Sequence, residues 1–75
     1  MDDFEQAYAL LGAVVGAYSA QIAATTGSKV EALRAERAAL MEERERLRPD
    51  DEARVATILE NAPPMLRRVR AGAVR

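Results

Sequence analysis

The stretch ALLGAVVGAYSAQIAATTGS, residues 9–28, carries no charged side chain, although 31% of the 75-residue chain is charged. A long uncharged helix either crosses a membrane or is buried by other protein on several sides. Gly12 and Gly16 have the Gly-x-x-x-Gly spacing of close-packed membrane helices, and the cationic residues that follow Ser28 would orient such a span.

The insertion free energy favours the protein-buried alternative. The five strongly apolar residues of the stretch together favour insertion by only about 1.5–3 kcal/mol, and its amide, hydroxyl and glycine residues oppose it. A core helix is therefore expected, and a single-span membrane protein with a cytoplasmic coiled coil is the third alternative for function.

Composition excludes several classes of function. The chain has no cysteine, histidine or tryptophan, so disulfides, thiolate metal sites and histidine-based catalysis are absent. The single lysine, Lys29, lies at a predicted helix start. We expect no enzymatic activity, no catalytic residue, no metal and no cofactor, and a cytoplasmic location. The Ala/Arg/Glu-rich composition is typical of bacteria with GC-rich genomes and of their phages. A domain this small needs a partner chain to complete its core.

An apolar seam with heptad spacing runs along the first predicted helix, residues 2–26. It consists of Phe4, Tyr8, Leu11, Val15, Tyr18 and Ile22. The other faces of this helix are apolar or small, which predicts burial on more than one side. The predicted self-association interface consists of Leu10, Gly12, Ala13, Val14, Gly16, Ala20 and Ala23.

A turn and a second helix, residues 28–48, follow. Gly27 suits the left-handed conformation just after a helix end, and Ser28 with Glu31 forms the pattern of a capping box. A continuous helix through Gly27 is the alternative. The apolar seam of the second helix consists of Val30, Leu33, Leu40 and Leu47.

If the two helices fold back on each other, their seams match with residue numbers that sum to 51 or 52. Phe4 then lies opposite Leu47. The same register places Arg44 across from Tyr8, where a cation–π contact can form, and Arg37 near Val15. The sequence therefore predicts an antiparallel helical hairpin.

Two further helices are predicted in the C-terminal third. Pro49 ends the second helix, and Asp50 or Asp51 caps a third, residues 50–62. The prolines of NAPP then break this helix, and Pro63 or Pro64 opens a last short helix, residues 64–71. The predicted fold is all-α: a single helical domain, residues 1–72, of two long helices and one or two short ones that assemble into a helical bundle, with a frayed basic tail at 73–75.

The C-terminal helix carries the remaining candidate contacts with a partner or nucleic acid: Met65, Leu66, Arg67, Arg68, Val69 and Arg70. The three apolar side chains either dock on a partner or pack back on the hairpin, and the sequence leaves both possibilities open. The favoured function is a small protein–protein interaction module, namely an adaptor, accessory subunit or inhibitor. It forms a dimer or tetramer and binds a larger protein. The alternative is an antitoxin-like or phage-encoded nucleic-acid regulator that uses the basic tail, including Arg75.

Overall fold

The computed structural model describes residues 2–72 and forms three helices there: α1, Asp3–Ala23; α2, Lys29–Arg46; and α3, Glu52–Arg70. These residues contain no strand, so the all-α prediction is confirmed. The molecule measures 40 × 20 × 16 Å along its principal axes. None of the helices in the described part of the chain is long and apolar enough to span a membrane.

The turn between α1 and α2 has the predicted glycine but not the predicted cap. Gly27 has φ +84°, the left-handed conformation that glycine adopts without a steric penalty. The helix ends at Ala23, so a continuous helix is excluded. Ser28 already has helical angles (φ −65°, ψ −23°) and makes no side-chain capping bond. A capping residue needs extended angles, so the capping-box prediction is wrong. Glu31 instead pairs with Arg34 at 3.0 Å.

The link between α2 and α3 is short and is fixed at both ends. Leu47 leaves α2 in an extended conformation (φ −64°, ψ 132°), and its side chain is buried. The Asp51 carboxylate accepts a hydrogen bond from the Arg54 backbone N–H at 3.2 Å, which confirms the predicted cap. Asp2 caps α1 in the same way through the Glu5 N–H at 2.7 Å.

Helix α3 runs without interruption through Pro63 and Pro64, so the predicted break into two short helices is wrong. Each proline removes one backbone donor and disfavours the helix interior by about 3 kcal/mol relative to alanine. Packing on α1 offsets this cost because α3 buries side chains on both sides of the prolines. Ile58 and Val69 are 4% and 0% exposed. A break in α3 at the prolines would move either the segment that carries Ile58 or the segment that carries Val69 away from α1.

Helix α1 occupies the centre of the molecule. It packs against both α2 and α3, whereas no Cα atom of α2 lies within 8 Å of a Cα atom of α3. The core therefore consists of two helix–helix contacts that share α1. Its buried members are Ala7, Leu11, Val14, Tyr18, Leu33, Leu47, Val55, Ile58, Ala62 and Val69.

Two arginine contacts set the direction of α2 along α1. The Arg44 guanidinium lies 3.9 Å from the centroid of the Tyr8 ring, which confirms the predicted cation–π contact, and its Nε donates to the Tyr8 carbonyl at 3.2 Å. Arg37 donates to the Ser19 hydroxyl at 3.0 Å. Because low numbers on α1 meet high numbers on α2, α2 runs back along α1.

Helix α3 runs in the same direction as α1. Phe4 and Val55, near the starts of the two helices, line one groove. At the other end, Gly72 lies beside the Gln21 side chain. The N-terminal turns of α1 and α3 therefore share one end of the molecule.

The predicted hairpin seam is partly buried. Leu11, Tyr18, Leu33 and Leu47 belong to the core, and Phe4, Ile22 and Leu40 pack partly buried against it. Val15 and Val30 are of intermediate exposure. Tyr8 stays 39% exposed, although the Arg44 guanidinium covers one face of its ring.

Candidate functional site

The side of α1 that faces away from both other helices is exposed and uncharged. Residues 6–28 contain no Asp, Glu, Lys or Arg, and the exposed positions within α1 include Ala9, Gly16, Ala20 and Ala23. A Cβ atom built on Gly16 meets nothing within 4 Å. We call these four residues the α1 outer face. The exposed side of α2, in contrast, carries ion pairs such as Arg46–Glu42.

Only part of the predicted self-association interface lies on this outer face. Val14 is 0% exposed, so its side chain cannot contact a second copy. Gly12 faces α2, where Arg44 side-chain atoms lie 3.1–3.3 Å from a Cβ built on the glycine. Leu10 and Ala13 are of intermediate exposure.

The apolar residues of the C-terminal turn pack back on the chain's own core. Val69 is fully buried, and Met65 and Leu66 pack partly buried against the core. Val69 is therefore not available to dock on a partner; of the two possibilities that the sequence left open for this side chain, it packs back on the core. Arg67, Arg68 and Arg70 are exposed, and nucleic-acid binding by them stays a prediction. Arg75 lies outside the described residues.

A narrow cleft of about 140 Å³ separates α2 from α3. Leu11 of α1 lies at its base, Leu40 and Ile58 are on its walls, and an ion pair between Glu43 and Arg54 joins the two helices. This ion pair is exposed at Arg54 and partly buried at Glu43, so the cleft has a polar rim over an apolar base.

Tyr18 of α1 is a buried titratable group, 4% exposed. Burial raises the pKa of Tyr18 because water no longer solvates the phenolate, the charge of Glu36 raises it further, and Arg68 opposes them. The opposing effects of Glu36 on α2 and Arg68 on α3 are consistent with a phenol that lies between these helices.

A larger groove, which the sequence analysis missed, lies at the end of the molecule where α1 and α3 begin. It has a volume of about 780 Å³, and we call it the acidic groove. Its lining consists of Asp2, Asp3, Phe4, Pro49, Glu52, Val55, Ala56, Leu59 and Glu60. The acidic first turns of two predicted helices were a signal in the sequence. Only the parallel packing of α1 and α3 brings them together.

Among the described residues, no group of three or more potential ligand side chains could hold a metal ion. Comparison with known proteins adds no further assignment: no protein-family model matches the chain, and no curated protein or solved structure does. Its function is therefore inferred from its own geometry.

Proposed function

We propose that this chain is a small helical protein–protein interaction module that self-associates through α1 into a helical bundle, as a dimer or tetramer, and acts by binding a larger protein. The observation that supports this function is the α1 outer face, which is exposed and uncharged at the centre of a molecule whose other exposed helix surfaces are charged.

The chemistry of the outer face suits a helix–helix contact. An exposed helix surface in a monomer is normally polar. Covering an uncharged helix surface with a second helix lowers the free energy of the assembly. Gly16 and Ala20 project little or nothing above the backbone, so a second helix can approach α1 closely and gain dispersion contacts along its length. A twofold axis would place the same residues of two copies against each other.

Gly16→Leu tests this contact directly. A Cβ atom built at this exposed position meets nothing within 4 Å in the single chain, so we expect the fold to tolerate the substitution. In a twofold contact the leucine would occur on both partners and force the helices apart. We expect the mass by light scattering to fall from an oligomer to the 8.2 kDa monomer, with helical circular dichroism unchanged.

The matched control is Ala35→Leu, which adds a leucine at an exposed position of α2. It should leave the oligomer intact. If Gly16→Leu assembles as well as the unmodified chain does, the contact does not use the α1 outer face.

A further inference from the structure

The acidic groove combines an apolar floor with a carboxylate rim. Phe4 and Leu59 are only partly buried, so they offer apolar surface at the floor that the chain's own core does not fully cover, whereas Val55 in the same lining is buried. Asp3, Glu52 and Glu60 stand at the rim. Glu52 and Glu60, the two rim residues on α3, lie about 12 Å apart along the helix, or about two helical turns.

The rim carboxylates have no cationic partner within residues 2–72. The ion pairs there are Arg34–Glu31, Arg46–Glu42, Arg48–Asp50 and Arg54–Glu43. The positive ends of the helix dipoles account for the acidic residues Asp3 and Glu52 in the first turns of α1 and α3. That effect fades within the first turn, so it does not account for Glu60, which lies two turns into α3. Within the part of the chain that the structure describes, no ion pair compensates the negative charge of the groove, which lies beside apolar surface.

We propose that the acidic groove binds a cationic amphipathic helical segment of a partner protein. The apolar side chains of the bound segment cover Phe4 and Leu59, and its Lys or Arg side chains pair with Asp3 and Glu60. Burial of the floor supplies affinity, and the complementary charges supply orientation and association rate.

A second copy of the chain fits this groove less well, although its α3 ends in the exposed residues Arg67, Arg68 and Arg70. The apolar neighbours of these arginines already pack within their own chain, because Val69 is fully buried and Leu66 packs against the core. The basic turn of a second copy would bring charge but few free apolar side chains for the floor. A separate protein with both is the occupant that the groove fits.

The test uses a fluorescently labelled Leu/Lys amphipathic helical peptide and the Gly16→Leu chain, so that peptide binding is measured independently of self-association. We expect saturable binding, with backbone amide shifts of Phe4, Val55 and Leu59. Asp3→Asn with Glu60→Gln should weaken binding about tenfold and reduce its dependence on salt. The control, Glu36→Gln with Glu45→Gln, removes the same net charge from exposed positions of α2 and should leave affinity within about twofold.

Three results would overturn the proposal. The peptide fails to bind, the two double variants weaken binding equally, or the shifted amides lie away from the groove. A fourth result, loss of self-association in the Asp3→Asn, Glu60→Gln variant of the otherwise unmodified chain, would make a second copy the occupant and also overturn it. A monomeric chain that binds the peptide would contradict only the proposed self-association.

Discussion

Replacing Pro64 by alanine should stabilise the protein, because Pro64 lies in the interior of a continuous helix. Pro64 has no N–H to donate to the Glu60 carbonyl, and its ring crowds the preceding turn. Alanine restores the missing donor. If α3 were instead two helices that meet at NAPP, Pro64 would open the second one, a position where proline is favoured. The sign of the stability change therefore distinguishes the two architectures.

The size of the effect follows from the helical position and the burial of Pro64. A helix-interior proline is about 3 kcal/mol less favourable than alanine. The substitution also removes two ring methylenes from a partly buried site, which costs about 0.8 kcal/mol at half burial. The net gain is about 2 kcal/mol, or a rise in Tm of roughly 8–16 °C for a domain of this size.

The measurement is urea unfolding followed by helical circular dichroism, at one fixed protein concentration because self-association would shift the apparent stability. Pro49→Ala is the control, since Pro49 lies outside the helices, and it should lose about 0.4–1 kcal/mol through a more flexible unfolded chain. An unchanged or lower free energy of unfolding for Pro64→Ala would refute the single continuous helix.

Four further substitutions test the core, the glycines of α1 and the buried phenol. Ile58→Ala should cost about 2–5 kcal/mol of unfolding free energy in the same urea assay, because Ile58 is 4% exposed. In monomeric protein, Gly16→Ala should gain about 0.5–1 kcal/mol. Gly12→Ala should gain less, since its Cβ would lie 3.1 Å from the Arg44 guanidinium. The pKa of Tyr18 is raised above 10.0 in the folded state. The stability that the neutral phenol contributes is therefore complete below pH 10 and is lost as pH rises through the raised pKa. Tyr18→Phe should remove this loss of stability at alkaline pH.

Local sequence signals predicted those parts of the fold that local forces determine. Heptad spacing indicated α1 and α2, Gly27 marked the turn between them, and Asp51 marked the start of α3. The contact between Arg44 and Tyr8 followed from matching two seams, because an antiparallel register fixes which residues face each other.

Long-range packing decided the features that the sequence analysis missed. The rule that proline breaks a helix failed at Pro63 and Pro64, since burial of Val69 against α1 outweighs the local cost. Val14 was assigned to the self-association interface from its place on an apolar face of α1, but packing within the single chain buries it completely. The acidic groove needs Asp3 and Glu60 in one lining, and only the parallel packing of α1 and α3 brings these residues to the same groove.

Light scattering of the unmodified chain across a range of concentrations tests the central claim most directly. If the α1 outer face is an interface between copies, the mass should rise from 8.2 kDa to a whole-number multiple as concentration increases. The Gly16→Leu variant should stay at the monomer mass throughout. A chain that remains monomeric at every concentration would contradict self-association through α1.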